Sequence, residues 1–195
     1  MTKTILSVLL STLTVMLMSG CTTMGNMMSM APAFASLESN TQASYVKMLN
    51  VVDESGDPAK AMMIEEKILD DVTNDQAVDS IKAITEERNM MVTGDVKMYT
   101  KNDAGPTEVK HARIVSVCNL TTAKVFLNHS RYYGGFMPCR IMLIEYGNGD
   151  RFLVTMDLQM AIYGGKPLPP AMLKQALVVK ETMEMLIKKG AKGDF

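Results

Sequence analysis

The 195-residue chain has no tryptophan, only two histidines and three cysteines, and a net charge of −1. With acidic and basic residues balanced, no basic field marks it for nucleic acid or an anionic surface. The histidines, His111 and His129, and the cysteines show no Cys-x-x-Cys, His-x-x-x-His or Cys-x-x-Cys-His spacing. No metal or haem set is therefore expected. No Ser-His-Asp arrangement or carboxylate pair stands out, and Glu145 and Asp157 read as solvated hairpin faces. Gly134-Gly135 and Gly164-Gly165 follow neither the Gly-x-Gly-x-x-Gly nor the Walker order, so they read as turns and not phosphate loops. The chain has no internal repeat.

What is present is an ordinary globular balance, 47% apolar and 21% charged, with 20 methionines. The N-terminus reads as a targeting segment. Lys3 precedes an apolar stretch from Ile5 to Leu17, too short for a membrane-spanning helix of about 20 residues. It closes with Leu17-Met18-Ser19-Gly20-Cys21, which resembles the lipobox of bacterial lipoproteins. On that resemblance residues 1–20 are a signal peptide, and Cys21 is lipidated and begins the mature chain. More than one acyl chain gives stable anchoring. Thr22 in place of Asp points to the periplasmic face of the bacterial outer membrane.

Residues 21–42 read as a flexible tether rich in Met, Ser, Ala and Asn. Met27, Met28 and Met30 could suit Cu(I). Methionine is frequent throughout, however, and linker composition is the preferred reading.

One domain is expected over residues 43–195. Residues 45–52 fit a short helix or a strand equally. Residues 62–69 read as a strand. Thr73 and Gln76 are spaced as a capping box for a helix over 74–89, with Val78, Ile81 and Ile84 on one face. A strand is expected over 91–99 and another over Val109–Cys118, the latter rich in β-branched residues. Asn119 or Thr121 can cap the next helix. Cys139–Tyr146 is almost continuously apolar, as in a strand covered on both faces. An Asn148-Gly149 two-residue loop would join it to a strand over 151–157. Pro170 opens a last helix with Met172, Ala176, Val179, Met183 and Leu186 inward, and Gly190 suits a left-handed cap. The order β-α-β-β-α-β-β-α predicts a two-layer α+β domain: a mixed sheet of about five strands with helices against one face.

Val115-Ser116-Val117-Cys118-Asn119, then Met137-Pro138-Cys139-Arg140 opening an apolar strand, then the hairpin ending near Met156-Asp157 and the closing helix, together resemble the domain-of-unknown-function 302 family over about residues 60–195. The resemblance implies a small α/β domain that can dimerise, and no settled activity or cofactor. Some members sit near sulfur-oxidation or rhodanese-like proteins.

With Cys21 lipidated, Cys118 and Cys139 remain at the ends of two predicted strands. In an oxidising compartment the pair could form a disulfide, remain two buried thiols, or act as a redox or sulfur-carrying couple. A thiol at a helix N-terminus is expected to titrate low. Asn119 and Arg140 are the residues placed to position the pair. Tyr132, Tyr133 and Phe136 form the densest aromatic cluster and could line a groove, a dimer seam or the core.

The expected function is a lipid-anchored cell-envelope protein with a small ligand-binding or protein-interaction domain. A thiol or sulfur-compound redox enzyme or carrier using Cys118 and Cys139 is the alternative. Expected partners are the membrane, through the anchor, and a second copy of the chain. The anchor is checked by mass spectrometry of the mature protein: its first residue is Cys21, carrying acyl mass, whereas any other unmodified N-terminus removes the anchor.

Overall fold

The computed structural model describes residues 29–195, so the expected signal peptide, Cys21 and the first part of the expected tether lie outside the described residues. Residues 29–35 are helical. They are followed by α1 (Ser39–Ser55) and α2 (Pro58–Met62). The expected tether therefore differs from what folds here. Thr41 is buried and donates to the Gly165 carbonyl at 3.0 Å, and Tyr45 Oη donates to the Gly164 carbonyl at 2.9 Å. These hydroxyls satisfy carbonyls of a glycine turn 124 and 119 residues away, a partnership that local composition does not reveal.

The remaining order is β1 (Met63–Lys67), α3 (Asn74–Glu87), β2 (Met91–Thr100), β3 (Val109–Cys118), α4 (Leu120–His129), a 3₁₀ turn (Arg131–Phe136), β4 (Cys139–Tyr146), β5 (Arg151–Met156), α5 (Gln159–Tyr163) and α6 (Pro170–Gly190). The capping box of α3 is formed. Gln76 N–H donates to Thr73 Oγ1 at 3.2 Å, and Thr73 N–H donates to Gln76 Oε1 at 2.8 Å. Asn89 ends that segment with φ of 53°.

The five strands form one sheet in the order β1-β5-β4-β3-β2, with α3 and α6 against one face. The two-layer α+β arrangement is as expected, but the strand directions are not mixed. Every neighbouring pair is antiparallel. The α4 connection leaves β3 and enters β4 at the same end of the sheet, so it is not a crossover. The hairpin also differs. A type I′ loop needs positive φ at both central residues. Gly149 has φ of 90°, but Asn148 is not among the described residues with positive φ. Tyr146 N–H donates to the Asp150 carbonyl, which gives a longer loop with glycine at its left-handed position.

Strand alternation divides the sheet. Val115, Val117, Ile141, Leu143 and Leu153 face the helices and are fully buried against Ile81 and Ile84 of α3 and Met183, Leu186 and Ile187 of α6. At the β2 side of this layer Arg113 donates to both carboxylate oxygens of Asp95 at 2.7 Å, and Lys82 of α3 holds Asp95 at 2.6 Å. The Arg113 guanidinium holds the Asp95 carboxyl far below the usual carboxylate range. Bidentate pairing of this kind fixes orientation as well as charge.

Gly190 is not the left-handed cap its position suggests. It is the last residue of α6, and Gly193 has the positive φ of 66°. A Cβ at position 190 would stand 2.8 Å from Ile81 Cγ1 and 3.0 Å from Leu153 Cδ1. The missing side chain lets α6 rest on α3 and β5. Gly190→Ala is expected to lower stability by about 1–3 kcal/mol through overpacking, even though alanine is favoured in a helix by about 1 kcal/mol. Urea unfolding checks this: the midpoint falls with the slope unchanged. Wild-type stability would mean that α6 does not approach so closely.

Candidate functional site

β3 ends at Cys118 and β4 begins at Cys139, and Val117 pairs with Cys139 across the antiparallel ladder. The two cysteines therefore stand at one rim of the sheet. Between them the chain folds into α4 and the 3₁₀ turn, which roof that rim. Asn119 caps α4 by accepting from Thr122 N–H at 3.0 Å and donates Nδ2–H to the Asn89 carbonyl at 3.4 Å. Thr121 does not cap.

A second apolar cluster sits under this roof. Phe126 of α4, Ile162 of α5, and Leu168, Met172 and Ala176 at the start of α6 are buried together. Tyr133 meets Phe126 edge-on at 5.1 Å between centroids. Of the predicted aromatic cluster, Tyr133 and Phe136 join this packing at 6.2 Å from each other, while Tyr132 is turned outward beneath the Arg131 guanidinium.

Between the two clusters lies a cavity of about 70 Å³. Cys118 and Cys139 both line it, with Met90, Phe126, Met137 and Val179 among the other walls. It is almost wholly apolar. Side-chain alternation sends Cys118 the other way from Val117 and Cys139, so the thiols border the rim from two sides. Both are free thiols.

Their electrostatics depart from the expectation of a low-titrating pair. Burial pushes the Cys118 thiol up. Burial pushes Cys139 up to about 11, the charge on Cys118 adds to this, and the Arg140 charge pulls weakly the other way. The reason is positional: Cys118 precedes the cap residue Asn119 and is not in the first turn of α4. Arg140 does not join the cavity, because alternation in β4 turns it to the face opposite Ile141.

A groove of about 390 Å³ adjoins the cavity, and Met90, Asn119, Thr122 and Val179 line both. Its further walls include Arg88, Lys174 and Gln175, and no acidic residue lines it. Gln175 Oε1 is buried there without a hydrogen-bond partner. Arg88 donates to Met185 Sδ at 3.0 Å, and neither Arg88 nor Lys174 has an ion pair among the described residues. These residues were missed in the sequence because they come from the end of α3 and the early turns of α6. Of the groove's walls only Asn119, read as a helix cap and positioning residue, and Val179, on the inward stripe of α6, were signalled.

The histidines lie elsewhere. Nδ1 of His111 is 3.0 Å from Thr100 Oγ1 on β2, and His129 ends α4 beside Tyr133. Among the described residues no three His, Cys, Asp or Glu side chains gather closely enough to hold a metal ion.

This architecture, an antiparallel five-stranded sheet with two helices on one face and a helix-roofed rim, defines a two-layer α+β domain. The family model for DUF302, a domain of unknown function, matches residues 64–190, and the chain belongs to that family. The fold is similar to the crystal structure of uncharacterized conserved protein DUF302 from Bacillus stearothermophilus, at 11% identity and a TM-score of 0.50, covering 66% of this chain and 97% of that one. No curated protein matches.

The thiol environment has a measurable consequence. A group whose pKa is raised remains protonated at neutral pH, so Cys139 is slow to react until the pH approaches about 11. In Cys118→Ser the added charge is gone, and the alkylation profile of Cys139 is expected to move to lower pH. A wild-type profile for Cys139 with its midpoint at or below about pH 8.5, the ordinary thiol value, would contradict this environment.

Proposed function

We propose that the chain is a lipid-anchored protein of the bacterial envelope whose rim cavity and adjoining groove bind a small amphipathic anion. The support for an anchor is the Leu17-Met18-Ser19-Gly20-Cys21 pattern, with Thr22 favouring the periplasmic face of the outer membrane. No helix among the described residues is long and apolar enough to cross a membrane.

The observation that carries the ligand class is the shared wall. An apolar cavity opens past Thr122 and Val179 to a groove with two cations and no acidic lining residue. A ligand there places its hydrocarbon among Phe126, Met137 and Val179, where each buried methylene contributes about 0.8 kcal/mol. Its acidic group meets Arg88 and Lys174 in the groove. Hydrogen bonds to charged groups contribute about 1.5–3 kcal/mol. Ligand sites commonly combine an apolar body with a few polar groups that fix orientation.

Thiol or sulfur-compound redox chemistry is the second reading, favoured by two free thiols on one cavity wall. Their raised pKa weighs against it, since the thiolate is the reactive form. Titration of the thiols with and without reductant separates the readings, because a redox couple cycles between two thiols and none.

Isothermal titration with octanoate and octanol, which share a tail and differ in charge, tests the proposal. Octanoate is expected to bind saturably and octanol about tenfold more weakly, the ratio expected for one charge-assisted contact of about 1.4 kcal/mol. Combined Arg88→Ala and Lys174→Ala substitution should reduce the difference to near zero. Equal affinities for octanoate and octanol, or no saturable octanoate binding, would sink the proposal.

A further inference from the structure

Methionine makes up 20 of the 195 residues, yet five of the twelve residues lining one cavity of about 120 Å³ are methionines. They come from five elements: Met48 from α1, Met62 from the end of α2, Met63 from the start of β1, Met156 from the end of β5 and Met160 from α5. Methionine commonly fills gaps in a core, and Met90, Met172 and Met183 do so here, each of them buried. None of the five is buried, and Met62 is 44% exposed. Core filling therefore does not account for them, and they stay within reach of solvent.

Polar contacts hold the five elements around the cavity. Met63 pairs with Met156 across the β1–β5 ladder, so both side chains lie on one face with Cβ atoms about 5 Å apart. Asp157 N–H donates to the Met62 carbonyl at 2.9 Å, which ties the exit of β5 to the end of α2. Lys47 Nζ donates to Asp157 Oδ2 at 2.9 Å, and Gln159 Nε2 donates to Ser44 Oγ at 3.0 Å. These two contacts fasten α1 to the exit of β5 and to α5.

We propose that this cavity binds one soft monovalent cation, Cu(I), through its thioethers. Thioether sulfur is a neutral, soft donor that suits Cu(I). Zinc takes cysteine, histidine or carboxylate ligands, and no cysteine or histidine among the described residues lines the cavity. Calcium and magnesium need several oxygens, and the one carboxylate there, Asp157, is already paired with Lys47. That pair adds no net charge, so a monovalent ion among neutral donors leaves a single charge to accommodate, the least costly case in a poorly hydrated site. The site is independent of the anion reading, for it shares only Phe136 and Ala161 with the rim cavity.

Competition for Cu(I) between bicinchoninate and the full chain, in mild detergent under nitrogen, tests it. Met156→Leu combined with Met160→Leu keeps side-chain volume and removes two donors. Its Cu(I) affinity is expected to fall at least about tenfold, since metal sites lose that much even when a supporting residue is removed, with far-UV circular dichroism unchanged. Met62→Leu decides the matter if that pair does not fold, because Met62 is already exposed. Cys118→Ser, and Met27→Leu combined with Met28→Leu, are expected to keep wild-type affinity, which separates the cavity from the rim thiol and from the N-terminal methionines. Ag(I), a diamagnetic stand-in, is expected to shift the ε-methyl carbon signals of the five methionines and to leave those of Met90 and Met172 in place. No Cu(I) uptake, affinity undiminished in every folded variant of the cavity, or affinity lost in Cys118→Ser would overturn the proposal.

Discussion

The chain that leaves β3 at Cys118 must re-enter the sheet at the same end, because Val117 pairs with Cys139 across an antiparallel ladder. That register leaves the connecting residues one place to go, over the rim between the two strands. Asn119 ends the strand and starts α4 in one step, since its side chain accepts the orphan N–H of Thr122. The helix and the 3₁₀ turn then roof the rim, with Phe126 and Tyr133 directed inward. The cavity is what remains between this roof and the main core.

The two apolar clusters are joined rather than separate. Leu158, in the turn after β5, packs against both. α6 runs beneath both, its early turns carrying Met172 and Ala176 into the roof cluster and its later turns carrying Met183, Leu186 and Ile187 into the core. Its last residue, Gly190, allows the close seat on Ile81 and Leu153. One long helix thus sets the distance between the sheet and the roof. Closely packed interiors transmit such shifts with little give.

Much of the architecture was legible in local chemistry. β3 and β4 follow their apolar and β-branched runs residue for residue, α3 begins at its capping box, and α6 runs from Pro170 to Gly190. These are short-range signals, set by the period of side chains and by caps. Strand direction is not local, and a helical connection of modest length fits parallel or antiparallel neighbours. The same limit hid the polar groove, assembled from Arg88, Thr122 and Lys174 on three helices or their ends. Cys118 and Cys139 were rightly placed on a common rim, but Arg140 turns to the other face and burial raises both thiols. Those properties depend on phase and burial, which a strand end does not declare. Within the expected tether residues 29–35 are helical and Thr41 of α1 is tied to the distant Gly165 carbonyl, a partner that local composition does not announce.

The register of β3 on β4 is the claim from which the rim, the roof and the cavity follow, and cross-strand proton contacts by nuclear magnetic resonance measure it directly. The account predicts backbone contacts joining Val117 to Cys139 and Val115 to Ile141, each pair advancing in opposite directions along the two strands. Contacts joining Val109 to Cys139, with both strands advancing together, would mean a parallel pair, and the two cysteines would then stand at opposite ends of the sheet.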